Sequence, residues 1–267
     1  MPKSILRSIY RKLFVYLNGG LNLLSIRKVF CPFCKWNGIA FFIENSCPVC
    51  GSMPRHRLIS FAIEYFQIDL NGKTLLHTGP IAIEKDWLSL RLGKGKYIGV
   101  DISPKPILTL QCRLTELPFC DQSFDLFIAW HVLEHILADR EALQEIYRVL
   151  RPGGKALISV PIYPRASPKR FDDHSITPDR YREVYGWFNH VRACGLDYAD
   201  RIASTGFQIQ TLNVTELLKS GTQSQPGFGK RTASSHHEQA KPGSMTIAEQ
   251  CIRYGLSDKH VAWCCAK

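Results

Sequence analysis

The sequence predicts an α/β protein: a doubly wound, mostly parallel sheet preceded by a small cysteine-rich segment. Three observations carry that reading. From about residue 73 onward, short apolar runs alternate with helix-periodic stretches; such alternation builds parallel sheets wound by right-handed crossovers. Two Cys-x-x-Cys pairs, Cys31–Cys34 and Cys47–Cys50, sit close together near the start. A length of 267 residues suits one sizeable core plus a small satellite.

Residues 1–18 read as an amphipathic helix. Ile5, Ile9, Leu13 and Tyr16 fall near one face and Arg7 and Arg11 on another, and Asn18-Gly19-Gly20 stops it. Arg55–Gln67 has the i, i+3, i+4 spacing of a second helix, and Asn71-Gly72 is a turn that sets the domain boundary. Lys73–Thr78 is a short buried strand and Ile81–Leu92 a helix. Lys96–Val100 is a strand that ends in Asp101, and Phe124–Trp130 is a third. Asp139 reads as the N-cap of a helix striped by Leu143, Ile146, Tyr147 and Leu150. Pro152-Gly153-Gly154 ends it, and Lys155–Val160 is the next strand. A helix over Leu196–Thr205, a strand over Gln208–Val214 and a last strand near His260–Cys265 complete the chain. Residues 220–244 are polar and Gly, Ser and His rich, the composition of a mobile insertion. Three regions result: a basic amphipathic segment at 1–28, a cysteine-rich region with its linking helix at 29–70, and the α/β domain at 71–267.

Composition narrows the function classes. The chain is 45% hydrophobic and 21% charged, which are globular values. No uninterrupted apolar run reaches 18 residues, so no membrane-spanning helix is expected. Of the net charge of +11, residues 1–60 carry most: nine Lys and Arg against one acid. Any anionic partner is therefore expected at that end. Six basic residues and no acid in 1–28, beside Leu6, Ile9, Leu13, Phe14 and Leu17, favour an anionic membrane surface or packing on protein. Nucleic acid is the weaker expectation, because only Trp36, Phe41 and Phe42 supply stacking rings there. The ten cysteines lack the spacing of a disulfide framework, which implies a reducing, cytoplasmic setting.

The paired cysteines have a sharper meaning. Each Cys-x-x-Cys forms a tight knuckle presenting two thiolates to one tetrahedral ion. Pro32 and Pro48 bias the knuckles toward turns, and Gly51 permits the left-handed backbone they often need. Cys31, Cys34, Cys47 and Cys50 are therefore expected to bind one zinc ion. Four protein ligands leave no open position, so the role is structural. The alternative is a set of buried or disulfide cysteines.

Residues 114–160 contain LPF-x-D-x-SFD, then His131-Val132-Leu133-Glu134-His135, then E-x-x-RVLRPGG followed by Val160-Pro161. In this order the phrases resemble the class I S-adenosylmethionine (SAM)-dependent methyltransferases, in particular the type 11 group. The resemblance covers about 73–214, and the tail from Arg253 through Cys264 looks like the family's final strand. The CPxC-G start followed by Arg55-His56-Arg57 is similar to a bacterial subgroup with an N-terminal zinc ribbon. The resemblance implies a Rossmann-like, mostly parallel seven-stranded sheet with SAM bound beyond the carboxyl ends of its strands. The family's first loop then falls on His77, Thr78 and Gly79. The ribose acid falls on Asp101 with Ile102, the adenine contacts on Leu114 and Thr115, and the methionine end and substrate on His131.

Two residues depart from the pattern. The first loop has one glycine, and Arg113 stands where an acid commonly meets the adenine amine, although a guanidinium has no acceptor. Asp101 also has a reading as a plain cap, Gly79 as a turn glycine, and His131 as a structural histidine rather than a catalytic base. The polar stretches Phe171–Ser175 and Asn189–Arg192 resemble subgroup phrases that shape the acceptor pocket, and equally fit a solvated loop. The expected function is methyl transfer to a small-molecule, glycan or lipid-linked acceptor. Alternatives are an rRNA or tRNA methyltransferase, and a catalytically silent SAM-fold binding module.

Overall fold

The structure is a computed structural model that describes residues 8, 10–15, 29–164, 167–220, 246–256 and 260–267. Most of the segment at 1–28, and the insertion beyond Ser220, lie outside the described residues. Nine strands are present among the described residues: β1 (Val29–Phe30), β2 (Asn37–Gly38), β3 (Thr74–Thr78), β4 (Lys96–Asp101), β5 (Leu110–Gln111), β6 (Phe124–Trp130), β7 (Leu150–Ser159), β8 (Gln208–Asn213) and β9 (Val261–Ala266). β1 and β2 form a small antiparallel pair. The other seven form one sheet in the order β5-β4-β3-β6-β7-β9-β8. β3, β4, β5, β6 and β7 run parallel, and β9 is antiparallel to both β7 and β8. The sheet is thus mostly parallel and seven-stranded.

Strand alternation sorts the core into two layers. Leu75, Leu126 and Leu157 face helices α1 (Pro54–Tyr65) and α2 (Ala82–Leu92), whose Leu58, Phe61, Trp87 and Leu88 are buried there. Leu76, Phe127 and Ile158 face the opposite layer, with Leu143 and Ile146 of α3 (Asp139–Val149). Short helices α4 (Tyr181–Tyr185), α5 (Tyr198–Ala203), α6 (Val214–Ser220) and α7 (Ile247–Arg253) complete the layers.

Three local expectations change. The Pro152-Gly153-Gly154 turn does not separate helix from strand: β7 begins at Leu150, and the turn lies within it beside a register shift between Phe124 and Leu126. Asp139 is not a side-chain cap, because its carboxylate is buried and takes Arg201 and the Tyr198 hydroxyl instead. The helix placed at Leu196–Thr205 is only one and a half turns long, because Asp197 is held by Arg170 before α5 begins.

The cysteine-rich region is fastened to the large sheet. Trp87 Nε1 donates to the Pro32 carbonyl at 3.2 Å and Trp130 Nε1 to that of Arg55 at 2.7 Å. Arg57, fully buried, donates to the Tyr254 carbonyl at 2.6 Å and to that of Asn45 at 2.7 Å, with its guanidinium 3.7 Å from the Phe41 ring. Ahead of it, residues 10–15 are helical; Arg11 donates to the carbonyls of Pro48 and Val49, and Phe14 meets Phe42 edge-on at 5.3 Å. No helix among the described residues is long and apolar enough to cross a membrane.

Candidate active site and cysteine centre

Between β3 and β6 the sheet reverses its winding direction, and such switch points open a crevice at the carboxyl ends of the strands. A cleft of about 730 Å³ lies there. It brings together Thr78, Gly79, Asp101, Ile102, Leu114, Thr115 and His131 of the expected residues, and Arg113 with them. Gly79 follows β3 at φ +65°, and its amide donates to the Val100 carbonyl at 2.9 Å. A side chain there would meet Val132 Cγ2 at 2.9 Å, so the loop needs glycine for both backbone and space. Asp101 ends β4. One carboxylate oxygen accepts the Ser103 amide at 2.9 Å and the other takes the Lys105 ammonium.

His77 is the exception. Alternation turns its ring to the opposite side of β3 from Leu76, away from the cleft and into the layer of α2. It is fully buried, with Nδ1 3.0 Å from the Tyr97 hydroxyl and Nε2 3.8 Å from Glu84. Burial pushes its pKa down to about 3 and that of Glu84 up to about 7. The His77 side chain therefore belongs to the core rather than to the cleft.

At the other end of the cleft, His131 follows β6 at φ +54°, and its amide is held by the Ser159 carbonyl at 2.9 Å. That bend directs Leu133–His135 into a tight turn over the crevice. Glu134 points inward and is 1% exposed. Burial alone would raise its pKa, but the neighbouring His131 and His135 rings hold it below the ordinary carboxylate range. Asn189 and Val191 close the same wall, and the Val191 amide donates to the Glu134 carbonyl at 2.9 Å. Arg192, read as equally suited to a solvated loop, is 1% exposed. Its guanidinium donates to the carbonyls of Leu133, Ile136 and Leu137 and to Asp172.

The four cysteines also converge. Cys31 and Cys50 Sγ atoms are 3.5 Å apart and those of Cys34 and Cys47 3.6 Å, and all four lie within 4.8 Å of one another. Tetrahedral thiolates about 2.3 Å from one zinc ion stand about 3.8 Å apart, so the spacing fits that ion. The two knuckles match: Lys35 at φ +62° and Gly51 at φ +76° follow the second cysteine of each pair, with the Cys31 and Cys47 carbonyls accepting their amides at 2.9 Å.

Comparison with known proteins agrees with the geometry. Residues 82–158 match the family model described as a methyltransferase domain. Over these residues the chain is similar to SAM-dependent methyltransferases. A protein of Mycolicibacterium smegmatis described as a "Probable S-adenosylmethionine-dependent methyltransferase" is 33% identical over 104 residues, 39% of this chain and 37% of that protein. A ubiquinone/menaquinone biosynthesis C-methyltransferase of Xanthomonas campestris is 35% identical over 83 residues, 31% of this chain and 29% of that protein. The chain thus spans less than half the length of these curated relatives. In fold it resembles the 1,6-didemethyltoxoflavin-N1-methyltransferase of Burkholderia thailandensis, solved with S-adenosylhomocysteine. That similarity has a TM-score of 0.50 and 14% identity, over 79% of this chain and 78% of that one.

Around the cleft, sequence reasoning missed Lys105 and the burial of Glu134 among histidines, whereas Asn189 and Val191 belong to the stretch read as either acceptor pocket or solvated loop, and they line the cleft. A partial signal for Lys105 was present: it lies four residues after Asp101, within reach of a carboxylate at a strand end.

Proposed function

We propose that the chain transfers the methyl group of SAM to a small-molecule, glycan or lipid-linked acceptor. The observation that carries this is the convergence of Gly79, Asp101, Thr115 and His131 on one cleft at the sheet's switch point. Gly79 lets the ligand approach the backbone, Asp101 accepts the ribose hydroxyls, and Leu114 and Thr115 border the adenine. His131 stands at the methionine end. In the reaction the acceptor's electron pair forms a bond to the methyl carbon as the carbon–sulfur bond breaks. The bonding pair returns to sulfur, so the sulfonium becomes a neutral thioether. An acceptor that holds its proton gives it to a base, and we assign that step to His131, one of two imidazoles bordering the cleft. Holding donor and acceptor in line supplies most of the acceleration.

The four cysteines, in the same reading, hold a structural zinc ion that orders the segment beneath α1. Residues 1–28 serve as a docking segment for an anionic membrane surface. Exposed Tyr10 and Leu13 beside Lys12 support this, and flotation with anionic vesicles tests it.

One observation favours a second reading, a silent SAM-fold binding module: Lys105 occupies the carboxylate that would bind ribose. Calorimetric titration with SAM decides between the two. Saturable binding, together with S-adenosylhomocysteine release on incubation with acceptor fractions, supports the enzyme. Absence of SAM binding by the folded chain leaves only the module.

A further inference from the structure

Glu134 has both carboxylate oxygens buried without a hydrogen-bond partner. A lone buried carboxylate costs several kcal/mol unless a cation compensates it. Three imidazoles surround it. His131 Nδ1, His135 Nε2 and His190 Nε2 stand 3.5, 3.7 and 4.0 Å from Glu134 Oε1. These distances are too long for hydrogen bonds. They are close to the spacing of ligands sharing one ion, since donors about 2.0–2.2 Å from a metal lie about 3.0–3.6 Å apart.

The outer nitrogens of two rings are fixed. His135 Nδ1 lies 2.9 Å from the Asn189 carbonyl and His190 Nδ1 3.2 Å from the Tyr185 carbonyl. A carbonyl only accepts, so each Nδ1 carries the hydrogen, and in the neutral ring the lone pair sits on Nε2, facing Glu134. Metal-binding histidines are held in this way by their second nitrogen. The ligand atoms of Glu134, His135 and His190 all lie within 4.8 Å of one another.

We propose that Glu134, His135 and His190 bind one divalent transition-metal ion, with His131 beside its open face. Two imidazoles and one carboxylate suit zinc or iron(II) rather than calcium or magnesium. His131 and His135 border the cleft, so the ion faces the end where the acceptor would enter. Resting on the methyl-transfer reading, the ion selects acceptors that present an oxygen ligand, such as a hydroxyl or carboxylate.

The test is cobalt(II) titration of the full chain after its cysteine centre has been saturated with zinc, followed by calorimetry and by the visible d–d bands. The wild type takes up one further equivalent with nitrogen and oxygen ligation and no cobalt–thiolate charge transfer. Glu134→Gln and His190→Ala each weaken that uptake by about 100-fold or more. Cys47→Ser keeps it. The proposal is overturned if the wild type takes up no further equivalent, or if both ligand variants bind cobalt as tightly as the wild type. SAM titration of the same samples is read separately. Metal uptake without SAM binding refutes methyl transfer and leaves the metal site standing.

Discussion

Arg192 Nε donates to Asp172 Oδ1 at 2.7 Å, tying together two stretches of the polar segment after β7. The remaining guanidinium hydrogens hold the carbonyls of Leu133, Ile136 and Leu137. One side chain thereby fixes the backbone that presents His131, Glu134 and His135. Arg192→Met strands those carbonyls and removes one partner of Asp172, and the expected loss of stability is about 3–5 kcal/mol. Urea denaturation checks it. A loss below 1 kcal/mol would mean that the turn is held by its own backbone.

His77 and Glu84 are expected to give opposite pH dependences. The imidazole, pushed down to about 3, contributes stability that is present above its unfolded value near 6.5 and is lost as pH falls. The carboxyl, pushed up to about 7, contributes stability that is present below its unfolded value near 4.5 and is lost as pH rises. Between about pH 7 and pH 5 each effect is worth about 2 kcal/mol and they offset one another. Relative to the wild type, His77→Gln should therefore gain stability on acidification over that range, and Glu84→Gln lose it. Denaturation midpoints at the two pH values measure both changes in slope, and changes of the same sign would refute the assignment.

Of the zinc in metal-replete protein, one equivalent should be bound by the four thiolates. Cys47→Ser should lose it and destabilise the region packed under α1, since ligand binding there is folding energy. Elemental analysis and the denaturation curve read the two effects. Zinc retained at full affinity in the variant removes Cys47 from the set.

Asp101→Ala should weaken SAM binding by about 1–3 kcal/mol, the cost of losing charge-assisted hydrogen bonds to the ribose. Lys105→Met should strengthen it, because the ammonium competes for the same oxygen. Calorimetry on both variants reports the two signs. Unchanged affinity in Asp101→Ala would remove that carboxylate from the cofactor site.

Four of the parallel strands were legible because each is a short apolar run closed by turn residues, and β6 falls on its expected span of Phe124–Trp130; β5, two exposed residues at Leu110–Gln111, gave no such run. The bulged start of β7 was not, because Pro152-Gly153-Gly154 reads locally as a stop, whereas its shape is set by pairing with β6 and by the Lys267 carbonyl. At the site, position along the chain located Gly79 and Asp101, since both follow buried strands. His77 stands next to them, but a strand sends neighbouring side chains to opposite faces, and that parity depends on tertiary packing. The juxtaposition of Glu134 with His190 joins distant segments through β7 and the loops after it, and no local pattern encodes it.

β9 lies between β7 and β8. During synthesis β8 therefore emerges with no edge to join, since the strand it must pair with is made only after α6 and α7. Until Val261–Ala266 appears, the outer edge of β7 stays open, and Leu212 has no partner for burial against Ala262. Nascent chains in this window expose an unpaired apolar edge, the condition under which strands from neighbouring chains associate. Ribosome pausing between β8 and β9 should therefore favour aggregation, and holding chaperones should protect this interval.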